Sequence, residues 1–105
     1  MSLDEIIVGV TSYVEQEIAR PAPSGLQKFI YYSALPFVGT TIKDMAFQYE
    51  NIALSAGLVD EDGKWDLSKL KEATTEAIRK SGSFEIAGII FRDEDLSKLW
   101  SYLKV

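Results

Sequence analysis

The side chains able to do chemistry in this chain are carboxylates, amines, guanidines and hydroxyls. It carries 16 Asp and Glu, 11 Lys and Arg, and neither His nor Cys. Without Cys there is no disulfide, thiol nucleophile or iron–sulfur ligation, and without His the zinc motifs built on the two residue types disappear as well. Ser-His-Asp and Cys-His catalysis go with them. What remains open is carboxylate acid–base work, an oxygen-ligated metal, or Lys-based chemistry. No side chain able to act as a general base here has an unperturbed pKa close to neutrality.

The densest carboxylate run is Asp60-Glu61-Asp62-Gly63-Lys64-Trp65-Asp66, and hard cations such as Ca²⁺ favour clustered carboxylate oxygens. Its register opposes that use. Placing Gly63 at the glycine of a calcium-binding EF-hand loop puts Leu58 at the first ligand position and Lys69 at the last, where a bidentate Glu belongs. A solvated turn followed by an N-cap at Asp66 is the better expectation. The pairs Glu15/Glu17 and Asp93/Asp95 stand two residues apart, a spacing that does not place both on one helix face. The seven glycines are scattered, with no phosphate-cradling loop. The sequence therefore leads us to expect no catalytic residue, no metal ligand and no bound cofactor.

Two other groups invite a binding role. Lys69, Lys71, Arg79 and Lys80 lie on one segment ahead of a short apolar hairpin, an order seen in winged-helix DNA readers. Glu72, Glu76 and the acidic turn offset their charge, and the segment from Phe84 to Phe91 holds Glu85 and no cation. With a net charge of −5, nucleic-acid binding is not favoured. The aromatics are more suggestive. Of the chain's two Trp, five Tyr and five Phe residues, six fall between Phe29 and Tyr49. Base stacking would need interleaved cations, and only Lys28 and Lys43 are at hand. Burial in the core or a contact between protein chains suits the cluster better.

These groups must be positioned by local structure that the sequence marks clearly in places. Ser2 and Glu5 form a capping box, and Leu3, Ile6, Ile7, Val10, Val14 and Ile18 recur at helical spacing. Pro21 and Pro23 end that helix. Ser24 and Gln27 offer a second cap, opening a segment in which Leu26, Phe29, Ile30, Tyr31, Tyr32 and Leu35 leave little polar face. Read as helix rather than strand, it is apolar all round and is either buried or in an interface. Pro36 is expected to end it, with Phe37-Val38-Gly39 as connector. Thr41 and Asp44 then signal a new helix whose apolar face runs from Ile42 through Tyr49 to Ala56, closed by Gly57 with Leu58 as the hydrophobic contact of a Schellman motif. Asp66 caps a further helix that ends at Gly82, complemented by Arg79 and Lys80 in its last turn. Phe84–Ile86 and Ile89–Phe91 flank a tight turn at Ala87-Gly88. Asp93 or Asp95 caps the last helix, which carries Leu96, Leu99, Trp100 and Leu103. The repeated "DLSKL" at 66–70 and 95–99 reads as shared helix-start chemistry rather than duplication.

The expected fold is mainly α, a compact bundle of four to five helices with one short β-hairpin (about 84–91) before the C-terminal helix, forming a single globular domain over 1–105. At 47 % hydrophobic residues the chain can build a core without staples. The opening residues lack a basic leader, and the 14 uncharged residues between Lys28 and Lys43 are too few to span a bilayer. A cytoplasmic protein without membrane contact is expected. The function expected is protein–protein contact, as a homo-oligomer or a subunit of a larger assembly, with Phe29, Tyr31, Tyr32 and Phe37 as the contact residues. A DNA-binding regulator using 66–91 is the alternative, and a carboxylate- or metal-dependent enzyme the third.

Overall fold

The computed structural model describes residues 1–103. Ser2 Oγ accepts from the Glu5 N–H at 3.1 Å, and the Glu5 carboxylate accepts from the Ser2 N–H at 2.9 Å. Two donors that a helix start leaves without partners are thereby satisfied reciprocally. Helix α1 (Leu3–Tyr13) then widens into a π-helical stretch over Val14–Ala19, closed by the Arg20 N–H donating to the Glu15 carbonyl at 2.9 Å. The widening begins at the most deeply buried neighbours of the chain, Tyr13 and Val14. Such insertions are tolerated where tertiary packing fixes the side chains on both sides.

Ser24 caps α2 (Gly25–Gln48), accepting from the Gln27 N–H at 3.1 Å. Two expectations are corrected here. Pro36 does not end the helix, and Thr41 does not start another: α2 is one helix of 24 residues with Pro36 in its interior. Pro36 removes one hydrogen bond, to the Tyr32 carbonyl, but packing on either side holds the segment helical. Ala34 and Leu35 before it rest against the core, and Val38 and Ile42 after it are buried in it. Gly39 permits the approach of α1, since a Cβ there would lie 3.1 Å from Ile7 Cγ2. Thr41 and Asp44 are interior residues of α2.

The break comes at Tyr49, with φ −106° and ψ 18°, and a short α3 (Glu50–Ser55) follows. Its end matches the expected Schellman geometry: Gly57 takes φ +74°, Leu58 N–H donates to the Ala53 carbonyl at 2.9 Å, and Gly57 N–H donates to Leu54 at 3.1 Å. In the acidic turn, Asp60 Oδ1 accepts from the N–H groups of Asp62 and Lys64, each at 2.9 Å. Val59 and Trp65 pair across it, and the Trp65 N–H donates to the Met1 carbonyl at 2.7 Å, which ties this loop to the start of α1.

Asp66 caps α4 (Leu67–Ser81) by accepting from the Lys69 N–H at 3.1 Å, and Gly82 closes it in the left-handed region. Strands β1 (Phe84–Ile86) and β2 (Ile89–Phe91) pair antiparallel, with Ile86 opposite Ile89 across the two-residue turn. Helix α5 (Asp93–Tyr102) has Arg92 at its N-cap, not Asp93 or Asp95 as expected. Asp95 sits at the third position and accepts from the Arg92 N–H at 2.8 Å, supplying the returning half of a capping box without a hydroxyl partner. The two "DLSKL" copies therefore serve different roles, Asp66 as an N-cap and Asp95 one turn inside.

The fold is mainly α, with five helices and one two-stranded hairpin before the C-terminal helix among the described residues. Its core joins α1, the second half of α2, the hairpin and α5 through Val10, Tyr13, Val38, Phe91, Leu99 and Leu103. Phe84 and Phe91 stack at 5.0 Å between centroids, and Tyr13 meets Phe91 at 5.7 Å. Gly9 lets α1 and α5 touch: a Cβ there would collide with the Leu103 side chain and lie 2.7 Å from the Tyr102 carbonyl oxygen.

Candidate functional site

The long helix α2 divides the aromatic cluster. At about 100° per residue, Leu26, Phe29, Ile30 and Phe37 fall within roughly 100° of arc on its outer side. Phe29 is 70 % exposed, Phe37 62 %, Leu26 71 % and Ile30 52 %. Tyr32 flanks this ridge and is also exposed, whereas Tyr31 turns inward and packs against the core. The four aromatics singled out by sequence thus do not share one surface. Leu26 and Ile30 complete the ridge instead. Their signal was present in the spacing i, i+3 and i+4 from Leu26 to Phe29 and Ile30; only the alignment of Phe37 with them required reading through Pro36 as one helix.

A second apolar feature lies elsewhere on the molecule. Between the end of α2 with α3 on one side and α4 on the other runs a groove of about 490 Å³. Met45, Tyr49 and Ile52 form one wall, and Leu70, Ala73 and Ala77 the other. Its floor is core, including Val10, Ile42 and Leu99, and no charged side chain lines it. The groove stays open because α4 presents small residues there: Ala73 and Ala77 cannot reach the facing wall, and both remain exposed. On α2 the groove residues Ile42, Met45 and Tyr49 project roughly 130° away from the outer ridge.

The surface is large for the chain's mass. The accessible area is 6724 Å², whereas a monomer of 11.7 kDa is expected to expose about 5,900 Å². The surplus of roughly 800 Å² is comparable to what one partner buries in a standard protein–protein interface. The radius of gyration, 13.8 Å, also exceeds the about 12.9 Å expected for this length.

A minority of the charged side chains are engaged within the chain. Tyr102 OH donates to Glu17 Oε1 at 3.0 Å, and Lys98 stands 3.8 Å from the other Glu17 oxygen, fastening the end of the first helix to α5. Burial of Tyr13, with the Asp95 and Glu17 carboxylates nearby, pushes its phenol well above the usual tyrosine range. Desolvation and the bond to Glu17 raise Tyr102 as well. Of the four cations considered for DNA contact, Arg79 pairs with Glu76 at 2.8 Å. Lys71 sits 5.9 Å over the Trp100 ring, and Lys69 lies across Gly57. No three metal-ligating side chains converge among the described residues, nor is any helix there long and apolar enough to cross a membrane. No family model, curated protein or solved structure matches the chain.

Proposed function

We propose that this chain is a non-catalytic assembly domain of the cytoplasm that works by protein–protein contact through the outer face of α2, with Phe29 and Phe37 as its anchors and Tyr32 on its edge. The observation that carries this reading is the ridge itself. Four large apolar side chains stand exposed in one arc, three of them within a stretch that carries no charge from Phe29 to Ile42, on a chain with roughly 800 Å² more surface than its mass requires. Contiguous exposed apolar patches of this kind mark contact surfaces, because leaving them in water forfeits about 25 cal/mol for each Å² that a partner could cover. Aromatic anchors dominate such interfaces.

Sedimentation velocity of the purified chain from about 5 to about 200 µM, a range that spans weak to moderate association, tests this reading. A sedimentation coefficient that rises with concentration, and that falls to the monomer value in the Phe29→Ser/Phe37→Ser variant, supports it. A wild-type chain that stays monomeric and captures no protein through this face refutes it.

A further inference from the structure

We propose that the groove between α2–α3 and α4 is a ligand site for a single-chain amphiphile with an anionic head, of the fatty carboxylate class. The site lies apart from the outer ridge and stands independently of the reading of that ridge as a contact surface. Its scale is that of a small ligand. At about 490 Å³ it falls inside the range of roughly 300–1,000 Å³ typical of small-molecule sites. The surface it leaves open is far below the roughly 800 Å² that each partner covers in a protein complex.

The gap is built into the fold. Ahead of α4, the Asp66 N–H donates to the Leu58 carbonyl at 2.8 Å and the Trp65 N–H to the Met1 carbonyl at 2.7 Å. Beyond it, Phe84 stacks on Phe91 at 5.0 Å. The helix is thus anchored at both ends, and between them Ala73 and Ala77 are too short to reach the facing wall. Inside, water finds almost no partner. The Thr74 hydroxyl already donates to the Leu70 carbonyl at 2.7 Å, and no charged side chain lines the groove. Apolar cavities of this kind take apolar ligands in place of water, and the Met45 thioether adapts to an irregular tail. The wall from Leu70 to Ala77 is about 10 Å long, which at roughly 1.25 Å per carbon of an extended chain holds about eight carbons.

The mouth of the groove sets the sign of the head. Lys69, Ala73, Ala77 and Lys80 follow one another along α4 at spacings of four, four and three, so the two small residues of the lip are bracketed by amines. Lys69 reaches across to Gly57, next to the groove residue Leu58. Glu76, the carboxylate nearest this row, is drawn to Arg79 at 2.8 Å, and neither lysine is in an ion pair among the described residues. On the facing lip, Asn51 and Ser55 flank the exposed Ile52 and carry no charge. Glu50 lines a different cleft, together with Asp60 and Glu61. In a chain of net charge −5, the apolar groove is therefore edged by cations. A tail in the groove with a carboxylate at its lip satisfies both features, whereas a long-chain cation satisfies only the first.

Trp65 and Trp100, the only two tryptophans of the chain, both line the groove, so intrinsic fluorescence reads the site directly. Decanoate, kept below its micelle concentration, is titrated into the Phe29→Ser/Phe37→Ser chain, where contacts through the ridge play no part. A saturable 1:1 change in tryptophan emission is expected, with a rise in Tm. Ala73→Phe fills the groove from an exposed position and should abolish both, with Ala77→Phe as a second blocking variant should circular dichroism show the first unfolded. Lys69→Ser/Lys80→Ser should weaken decanoate about two- to fivefold for each amine that contacts the head, and leave decanol unchanged. Added salt should act in the same direction as the lysine substitutions. The absence of a saturable change with decanoate overturns the proposal, as does binding that survives in both Phe variants. Decyltrimethylammonium binding as tightly as decanoate overturns it by removing the anionic head. A response to vesicles of anionic phospholipid with none to monomeric decanoate overturns it in favour of a membrane surface.

Discussion

Replacing Pro36 with Ala should make this protein more stable, and by an amount that separates one continuous helix from two. Pro36 lies inside α2, twelve residues before its end. There a proline costs about 3 kcal/mol relative to alanine, through the missing hydrogen bond to the Tyr32 carbonyl and the clash of its ring with that turn. The side chain is exposed, so removing it opens no cavity. The freer unfolded chain takes back about 0.4–1 kcal/mol. The net expectation is a gain of about 2 kcal/mol, which for a domain of this size raises Tm by roughly 8–16 °C. Urea unfolding followed by circular dichroism measures it, in the Phe29→Ser/Phe37→Ser background so that association does not contribute. The midpoint should rise with the slope unchanged. If the chain instead broke at Pro36, as its local sequence suggests, the proline would sit in a turn that suits it. Pro36→Ala would then be neutral or destabilising, and that result would refute a continuous α2.

Gly9→Ala should destabilise despite alanine's better helix propensity, because the new methyl meets Leu103 and the Tyr102 backbone where α1 touches α5. Overpacking of 1–3 kcal/mol against a propensity gain of about 1 leaves a net loss of about 1 kcal/mol, read as a drop in Tm of roughly 4–8 °C. The two tyrosines predict an alkaline limit. Their folded pKa values lie above the ordinary value of 10.0, so the folded state holds these protons more tightly than the unfolded state. Stability is therefore fully present below pH 10 and declines as pH rises above it. Melts between about pH 8 and 11.5 should show that decline, and Tyr13→Phe should make it shallower by up to about 1.4 kcal/mol per pH unit; an identical slope in the variant would remove Tyr13 from the explanation.

What the sequence made legible was what neighbouring residues decide. Ser2 with Glu5, the Schellman end at Gly57-Leu58, the Asp66 cap and the Ala87-Gly88 turn each depend on contacts a few residues apart, and each stands where the pattern put it. Pro36 and Thr41 misled because their local preferences were overruled by distant packing. Burial of Val38 and Ile42 against α1 is worth more than one lost hydrogen bond, and a linear reading does not display it. The π-helical stretch after Tyr13 was hidden for the same reason. At the candidate site, the exposed aromatics announced a surface, but which of them share an arc depended on α2 being unbroken. The groove was less visible still. The apolar face from Ile42 to Ala56 reads as core, and only the stand-off of α4 leaves Met45, Tyr49 and Ile52 uncovered.

The central claim is that the apolar surface left open by this fold is a contact between protein chains, and the mass of the chain in solution measured across concentration tests it most directly. Sedimentation equilibrium of the wild-type chain should give a weight-average mass that rises above 11.7 kDa in the micromolar to hundreds-of-micromolar range, with the Phe29→Asp/Phe37→Asp variant fixed at the monomer value. A single species of 11.7 kDa at every concentration, unchanged by those substitutions, would contradict it.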